Sequence, residues 1–151
     1  MKVAGLGIDC SGFVYQTLKY AFDRVGYPEM LEDSVEWPDT LGQRNEYRAS
    51  IKSFTGGASR IIQPFETQSM DIIVIKSPTG EKYSHMALVL KENEGLRVTQ
   101  SVIGQVPTGV HVSSLRIENS LPQFGFRPNL TEPWEELYGA GRLEFRRLEV
   151  F

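Results

Sequence analysis

The first clear periodicity in the chain runs through Val14, Thr17, Leu18, Ala21, Phe22 and Val25. This i, i+3, i+4, i+7, i+8, i+11 spacing predicts a helix with one buried stripe. Gln16, Lys19, Asp23 and Arg24 fall on its other side. Gly26-Tyr27-Pro28 reads as its stop signal. From residue 29 to 67 no clean period holds, and Pro38, Gly42, Gly56, Gly57 and Pro64 interrupt the stretch. A long connection is expected there, with a short helix over 45–54 and a role as the wall of a cleft.

The period then changes to that of strands. Asp71-Ile72-Ile73-Val74-Ile75 is a continuous β-branched run, expected to be buried on both faces. Ser77-Pro78-Thr79-Gly80 is a turn, followed by the strand His85-Met86-Ala87-Leu88-Val89-Leu90. Glu92-Asn93-Glu94-Gly95 turns the chain into a hairpin partner, Leu96 to Ser101. After a turn at Pro107-Thr108-Gly109, Val110-His111-Val112-Ser113 alternates, and His111 is expected to point outward. Residues 120–133, with Pro122, Pro128 and Pro133, read as loop. Residues 134–138 read as a helical turn, and residues 142–150 as a closing strand in which Leu143, Phe145 and either Arg147 or Leu148 face inward. A helix followed by an antiparallel meander makes an α+β fold. No repeat or internal boundary appears, so residues 1–151 are expected to form a single domain.

Composition narrows the function classes. The 16 Lys+Arg against 19 Asp+Glu leave a net charge of -3. No basic run is interleaved with aromatics, so nucleic acid is not an expected partner. Apolar runs such as Ile72 to Ile75 are far too short to span a bilayer. Met1 to Ile8 lacks the apolar core of a signal peptide. A cytoplasmic, phage-associated or non-classically exported protein fits. One cysteine excludes an intrachain disulfide and a multi-cysteine zinc site, and the two histidines have no metal-ligand spacing. No metal or other cofactor is expected, and the oligomeric state is left open.

That cysteine, Cys10, lies one turn before Val14, at the tip of the predicted helix. Asp9 is a preferred cap residue there. Unpaired N–H groups at the tip favour thiolate over thiol, the form that acts as a nucleophile. Position alone favours an inert core cysteine over a catalytic one. A nucleophile needs a base, and the base needs an orienting group. His85 opens its strand, and antiparallel pairing about the 92–95 turn brings Gln100 roughly opposite it. The Gln100 oxygen is placed to accept the His85 ring N–H and turn the other nitrogen toward Cys10.

Asp9-Cys10-Ser11-Gly12-Phe13-Val14 resembles the nucleophile motif of the NlpC-type, papain-like cell-wall cysteine peptidases. Gln68-Ser69-Met70-Asp71-Ile72 is similar to the strand that this family opens with Gly-Asp, with Met70 in place of the glycine. Ser84-His85-Met86-Ala87-Leu88-Val89-Leu90 resembles the strand carrying the family's catalytic histidine. Thr99-Gln100-Ser101 falls where the family places its base-orienting residue, often histidine. Gly109 to Leu115 matches the next strand, with His111 at a non-catalytic position. The similarity spans Ile8 to Leu115. It implies a papain-like fold and a thiol hydrolase on peptidoglycan stem peptides, cutting after D-glutamate. Cys10 would be the nucleophile, His85 the base and Gln100 its orienter. Asp9 and Ser11 match positions that contact the substrate's free amino end. The family's upstream tyrosine has no counterpart before Cys10, and Tyr83 or Tyr47 is the substitute to line the site. That gap also leaves room for a non-enzymatic peptide- or partner-binding module of the same fold, or an amidase or acyltransferase using the same dyad.

Overall fold

The computed structural model describes residues 9–37, 49–93, 95–102, 109–125 and 133–151. Helix α1 (Cys10–Val25) begins where the Asp9 carboxylate accepts the Gly12 N–H at 2.6 Å. This bond satisfies one of the donors left unpaired at a helix start. The helix ends at Gly26, whose φ of +86° allows the left-handed cap. Its buried line is Ser11, Gly12, Val14, Tyr15, Leu18 and Phe22. Val25, which the spacing assigned to the stripe, is 66% exposed, whereas Tyr15 is fully buried. The stripe is therefore turned toward Tyr15, whose ring meets Trp37 edge-on at 5.5 Å.

Gly26-Tyr27-Pro28 stops one helix and starts another, because Pro28 is the first residue of α2 (Pro28–Ser34). A proline at that position loses no helical bond, since its N–H would be unpaired anyway. Of the helix expected over 45–54, residues 45–48 lie outside the described residues, and the remainder forms the four-residue α3 (Ile51–Phe54). Strand β1 (Ser59–Ile62) follows, between 3-10 turns at Gly56–Ala58 and Pro64–Glu66.

The sheet is completed by β2 (Ile72–Lys76), β3 (Tyr83–Glu92), β4 (Gly95–Val102), β5 (Gly109–Glu118), β6 (Leu121–Phe124) and, after α4 (Trp134–Gly139), β7 (Leu143–Leu148). Its order is β1-β7-β2-β3-β4-β5-β6, with every pair antiparallel. The expected meander is present from β2 to β6, so the fold is α+β. The two strands not expected, β1 and β6, are the short edges. Pro122 sits in β6, where an edge position tolerates its missing donor.

Strand β7 lies between β1 and β2, so both of its edges are paired. Leu143 and Phe145 face one side, and Arg146 and Leu148 the other. On the first side of the sheet, Ile72, Val74, Met86 and Leu88 pack under Val14, Tyr15, Leu18 and Phe22 of α1. On the second, Ile73, Ile75, Ala87, Val89, Val98 and Phe145 pack under Trp134 and Leu137 of α4. Each such side chain contributes about 1.5–3 kcal/mol when fully buried.

Strand β5 alternates as expected but in the opposite sense. Val110 and Val112 are 59% and 62% exposed, while His111 is half-buried and Ser113 buried. Pairing sets this sense: Gln100↔His111 and Val98↔Ser113 place both β5 polar residues on the α4 side.

Candidate active site

At the end of the sheet where β2 finishes, the ladder is interrupted twice. A bulge shifts the β2–β3 register between Ile75 and Lys76. Among the described residues, the β3–β4 register runs from Glu92↔Gly95 to Leu88↔Thr99 and stops there. Helix α1 packs against β3 and β4. Its first residue, Cys10, is half-buried against the α1-side core, near the Met86 backbone N–H, which favours its thiolate. Met86 directly follows His85, so the thiol lies at the backbone next to the expected base.

His85 itself projects to the α4 side, and no hydrogen bond joins its ring to the Cys10 sulfur, so the expected nucleophile and base are not paired in the structure. Its Nε2 pairs with Gln100 Oε1 at 2.5 Å, and its ring meets the edge of Trp134 at a centroid distance of 6.1 Å. Continuing the β3–β4 register by one step sets Gln100 across from Ala87, so His85 and Gln100 meet on a diagonal. An amide oxygen only accepts, so Nε2 carries the proton of the neutral ring and Nδ1 is the basic nitrogen. Burial lowers the His85 pKa below its ordinary value, and the Gln100 bond offsets this only partly. The resting imidazole is therefore neutral at neutral pH.

The thiol differs from the sequence-based expectation. Burial raises the Cys10 pKa above its ordinary value, and the Asp9 carboxylate raises it further. The N–H groups of Met86, Ser11 and Cys10 pull in the other direction without overcoming burial. The helix tip does supply donors to the sulfur, but desolvation outweighs them. The resting pair is thiol and imidazole, both neutral.

Ser11 is buried, its hydroxyl 3.1 Å from both Asp9 Oδ1 and the Ala49 carbonyl oxygen. It thus belongs to the network that caps α1, while Asp9 is exposed. Tyr83 packs on the same core as Cys10, and its hydroxyl donates to Glu144 Oε2 at 3.4 Å. Glu144 also holds Lys76 at 2.5 Å and Arg146 at 2.8 Å. Tyr47 lies outside the described residues. Among those residues, no group of three His, Cys, Asp or Glu side chains could hold a metal ion, and no helix is long and apolar enough to cross a membrane.

Sequence reasoning missed the Met86 N–H and the Trp134 wall. Neither has a local signal: one is main chain, and the other follows a proline-rich stretch. Set against family models, curated proteins and solved structures, the chain matches none.

Proposed function

We propose that this chain is a cysteine hydrolase acting on amide bonds of short cell-wall peptides. The observation that supports it is the buried His85–Gln100 pair on β3, the strand whose Met86 N–H lies near the Cys10 sulfur. Attack of the Cys10 sulfur on the carbonyl carbon, with His85 Nδ1 taking the thiol proton, requires the His85 ring to turn from the α4 side toward the sulfur, since no hydrogen bond joins the two at rest. Backbone N–H groups of the first turn of α1, that of Cys10 among them, stabilise the oxyanion. The tetrahedral species collapses to a thioester as His85 gives the proton to the leaving amine. His85 then draws a proton from water, which attacks the thioester and releases the acid and free thiol. Because both partners rest neutral, proton transfer accompanies attack. Activity should rise as His85 loses its proton at a pH below 6.5 and stay level through neutrality. The substrate class, stem peptides cut after D-glutamate, follows from the motif resemblance.

The test is mass spectrometry after incubation with a stem tetrapeptide. A cut between D-glutamate and the diamino acid is expected, and His85→Ala should slow it roughly 10²- to 10⁴-fold, the range for losing a general base. Burial that pushes the thiol up favours a second reading, a peptide-binding module that does no chemistry. Saturable binding of the tetrapeptide without turnover would establish that reading and remove the first.

A further inference from the structure

We infer that Lys76 is a specificity-determining residue that pairs with the free carboxylate of the D-glutamate in the bound peptide. The inference rests on the reading of Cys10 as the nucleophile and deepens it by naming the group the site selects. Glutamate has two carboxyl groups and the cut bond uses one, so the other stays ionised beside it at neutral pH. The fold brings Lys76 to the same end of the sheet as the sulfur. Phe22, late in α1, stacks on Phe151 at 5.5 Å, and the Phe151 N–H donates to the Leu148 carbonyl at the end of β7. That end of β7 lies where β2 begins, since Arg146 pairs with Ile72. Helix α1 therefore starts, at Cys10, toward the opposite end, where β2 finishes with Lys76. Val74, two residues before Lys76, packs on the α1 side and pairs with Met86, whose N–H lies near the sulfur. Alternation puts the Lys76 side chain on that side too. At about 3.3 Å per residue along a strand and 4.8 Å between strands, the Lys76 and Met86 Cα atoms are about 8 Å apart.

The cluster around Lys76 has donors to offer and few acceptors. An ammonium has three donors, and Glu144 Oε1 takes one at 2.5 Å. The Lys76 side chain is 27% exposed, so the others reach solvent. Glu144 Oε2 already accepts from Arg146 Nη1 at 2.8 Å and from the Tyr83 hydroxyl at 3.4 Å. Three of the roughly four acceptor positions of that carboxylate are thus filled. Arg146 is buried, with Nε and Nη2 engaged by the Ser59 hydroxyl and carbonyl oxygens. One carboxylate therefore faces two cations, and a third, Arg142, donates to the Lys76 carbonyl oxygen. An incoming carboxylate meets excess positive charge and donors turned to solvent, whereas an incoming ammonium meets neither an open acceptor pair nor a favourable field. Glu144 also raises the Lys76 pKa, which keeps the ammonium charged, and holds it beside the Tyr83 ring at 6.0 Å from the centroid. A side chain held in place loses less freedom when a ligand pairs with it.

The test compares two stem tetrapeptides as protectants of Cys10 against iodoacetamide, one with the D-glutamate carboxylate free and one with it as the amide. Alkylation is followed over a time too short for turnover, so occupancy is read whether or not the peptide is cut. In the unsubstituted protein, half-protection should take about tenfold more of the amide, the worth of one hydrogen bond to a charged group. In Lys76→Met, which keeps the length and removes the charge, the two peptides should agree within about twofold. Lys76→Arg, which keeps the charge, should keep the preference. A lysine that only supported the fold would weaken both peptides alike. Equal half-protection in the unsubstituted protein overturns the inference, as does a preference that survives in Lys76→Met. If the methionine variant does not fold, the unsubstituted protein decides. Cutting of both peptides with equal kcat/KM would remove this inference and leave the hydrolase reading standing. A carboxylate preference that follows residue 76, with no peptide cut, would remove the hydrolase reading and leave this one.

Discussion

The two ends of the β2–β3 ribbon are built in opposite ways. At the end where β2 begins, every strand bond continues into the connection: Met70 N–H donates to the Val89 carbonyl, and Val89 N–H to that of Asp71, each at 2.8 Å. Asp71, with no exposed surface, takes a two-pronged hydrogen bond from Arg147 of β7, both contacts at 2.8 Å. At the other end a bulge intervenes and the β3–β4 pairing stops, with Cys10 on the α1 side of the sheet and the His85–Gln100 pair on the α4 side. The closed end stabilises the sheet so that the open end can leave strand bonds unmade. If so, substitutions at the closed end should change stability, and those at the open end chemistry.

The largest expected effect is at the closed end. Asp71→Ala leaves the Arg147 guanidinium partly buried without its carboxylate, and also removes the acceptor of the Gln68 N–H. Breaking a buried pair from one side costs about 3–5 kcal/mol, to be read from urea denaturation. A loss below about 1 kcal/mol, the worth of a surface pair, would sink the contrast between the two ends.

The next prediction concerns Met70, which has a φ of +75°. That conformation costs a residue with a Cβ about 1–2 kcal/mol and glycine almost nothing. This gives a physical reason for the glycine that the resembling family places there, and it inverts the usual ranking. Met70→Gly should be more stable than Met70→Ala by about 1 kcal/mol, whereas in an ordinary strand alanine would be the better residue. A more stable alanine variant would show the backbone is not held in that region.

A third expectation uses pH. His85 and Glu144 both have lowered pKa values: His85 by burial, and Glu144 because the Lys76 and Arg146 bonds together outweigh burial. The unfolded chain therefore binds more protons at these sites, so stability is lost on acidification. The loss from His85 begins as pH falls below 6.5, and that from Glu144 below 4.5. Cys10 has the opposite sign: its raised pKa lets the folded chain keep the proton longer, so stability is lost as pH rises past 9.0. The urea midpoint should be highest between these limits, and His85→Leu should remove the part of the decline that starts near neutrality. An unchanged decline in that variant would show that another group causes it.

The closed end was also the more legible in sequence. A β-branched run such as Ile72 to Ile75 can only be a strand buried on both faces, and turn residues fixed the hairpins on either side of it. The register that brings Gln100 to His85 followed from turn position and strand length, and was off by the step that makes their contact diagonal. What stayed hidden was non-local. β1 and β6 are edge strands too short for a periodic signal, and β1 forms by pairing with β7, far along the chain. The inward turn of His111 follows from the pairing of β5 with β4, because alternation reveals two faces without saying which is buried. The state of the thiol was misjudged for a related reason. The donors at a helix tip can be read locally, whereas the desolvation that outweighs them comes from the rest of the fold.

The smallest expected effect probes that balance at the open end. Asp9 does two jobs: its oxygen caps α1, and its charge raises the pKa of the neighbouring thiol. Asp9→Asn keeps an oxygen for the Gly12 N–H and removes the charge, so the helix should persist while the Cys10 pKa falls. An exposed charge is worth about 0.2–1 kcal/mol, so alkylation by iodoacetamide at pH 8 should quicken by at most roughly fivefold. Asp9→Ala removes the cap as well and should cost about 1 kcal/mol of stability, which separates the two roles. Slower alkylation in the asparagine variant would mean that the aspartate acts on the sulfur through the geometry of the helix tip and not through its charge. The open end would then owe its chemistry to backbone placement alone, and the difference between the two ends would be one of hydrogen bonding, with electrostatics secondary.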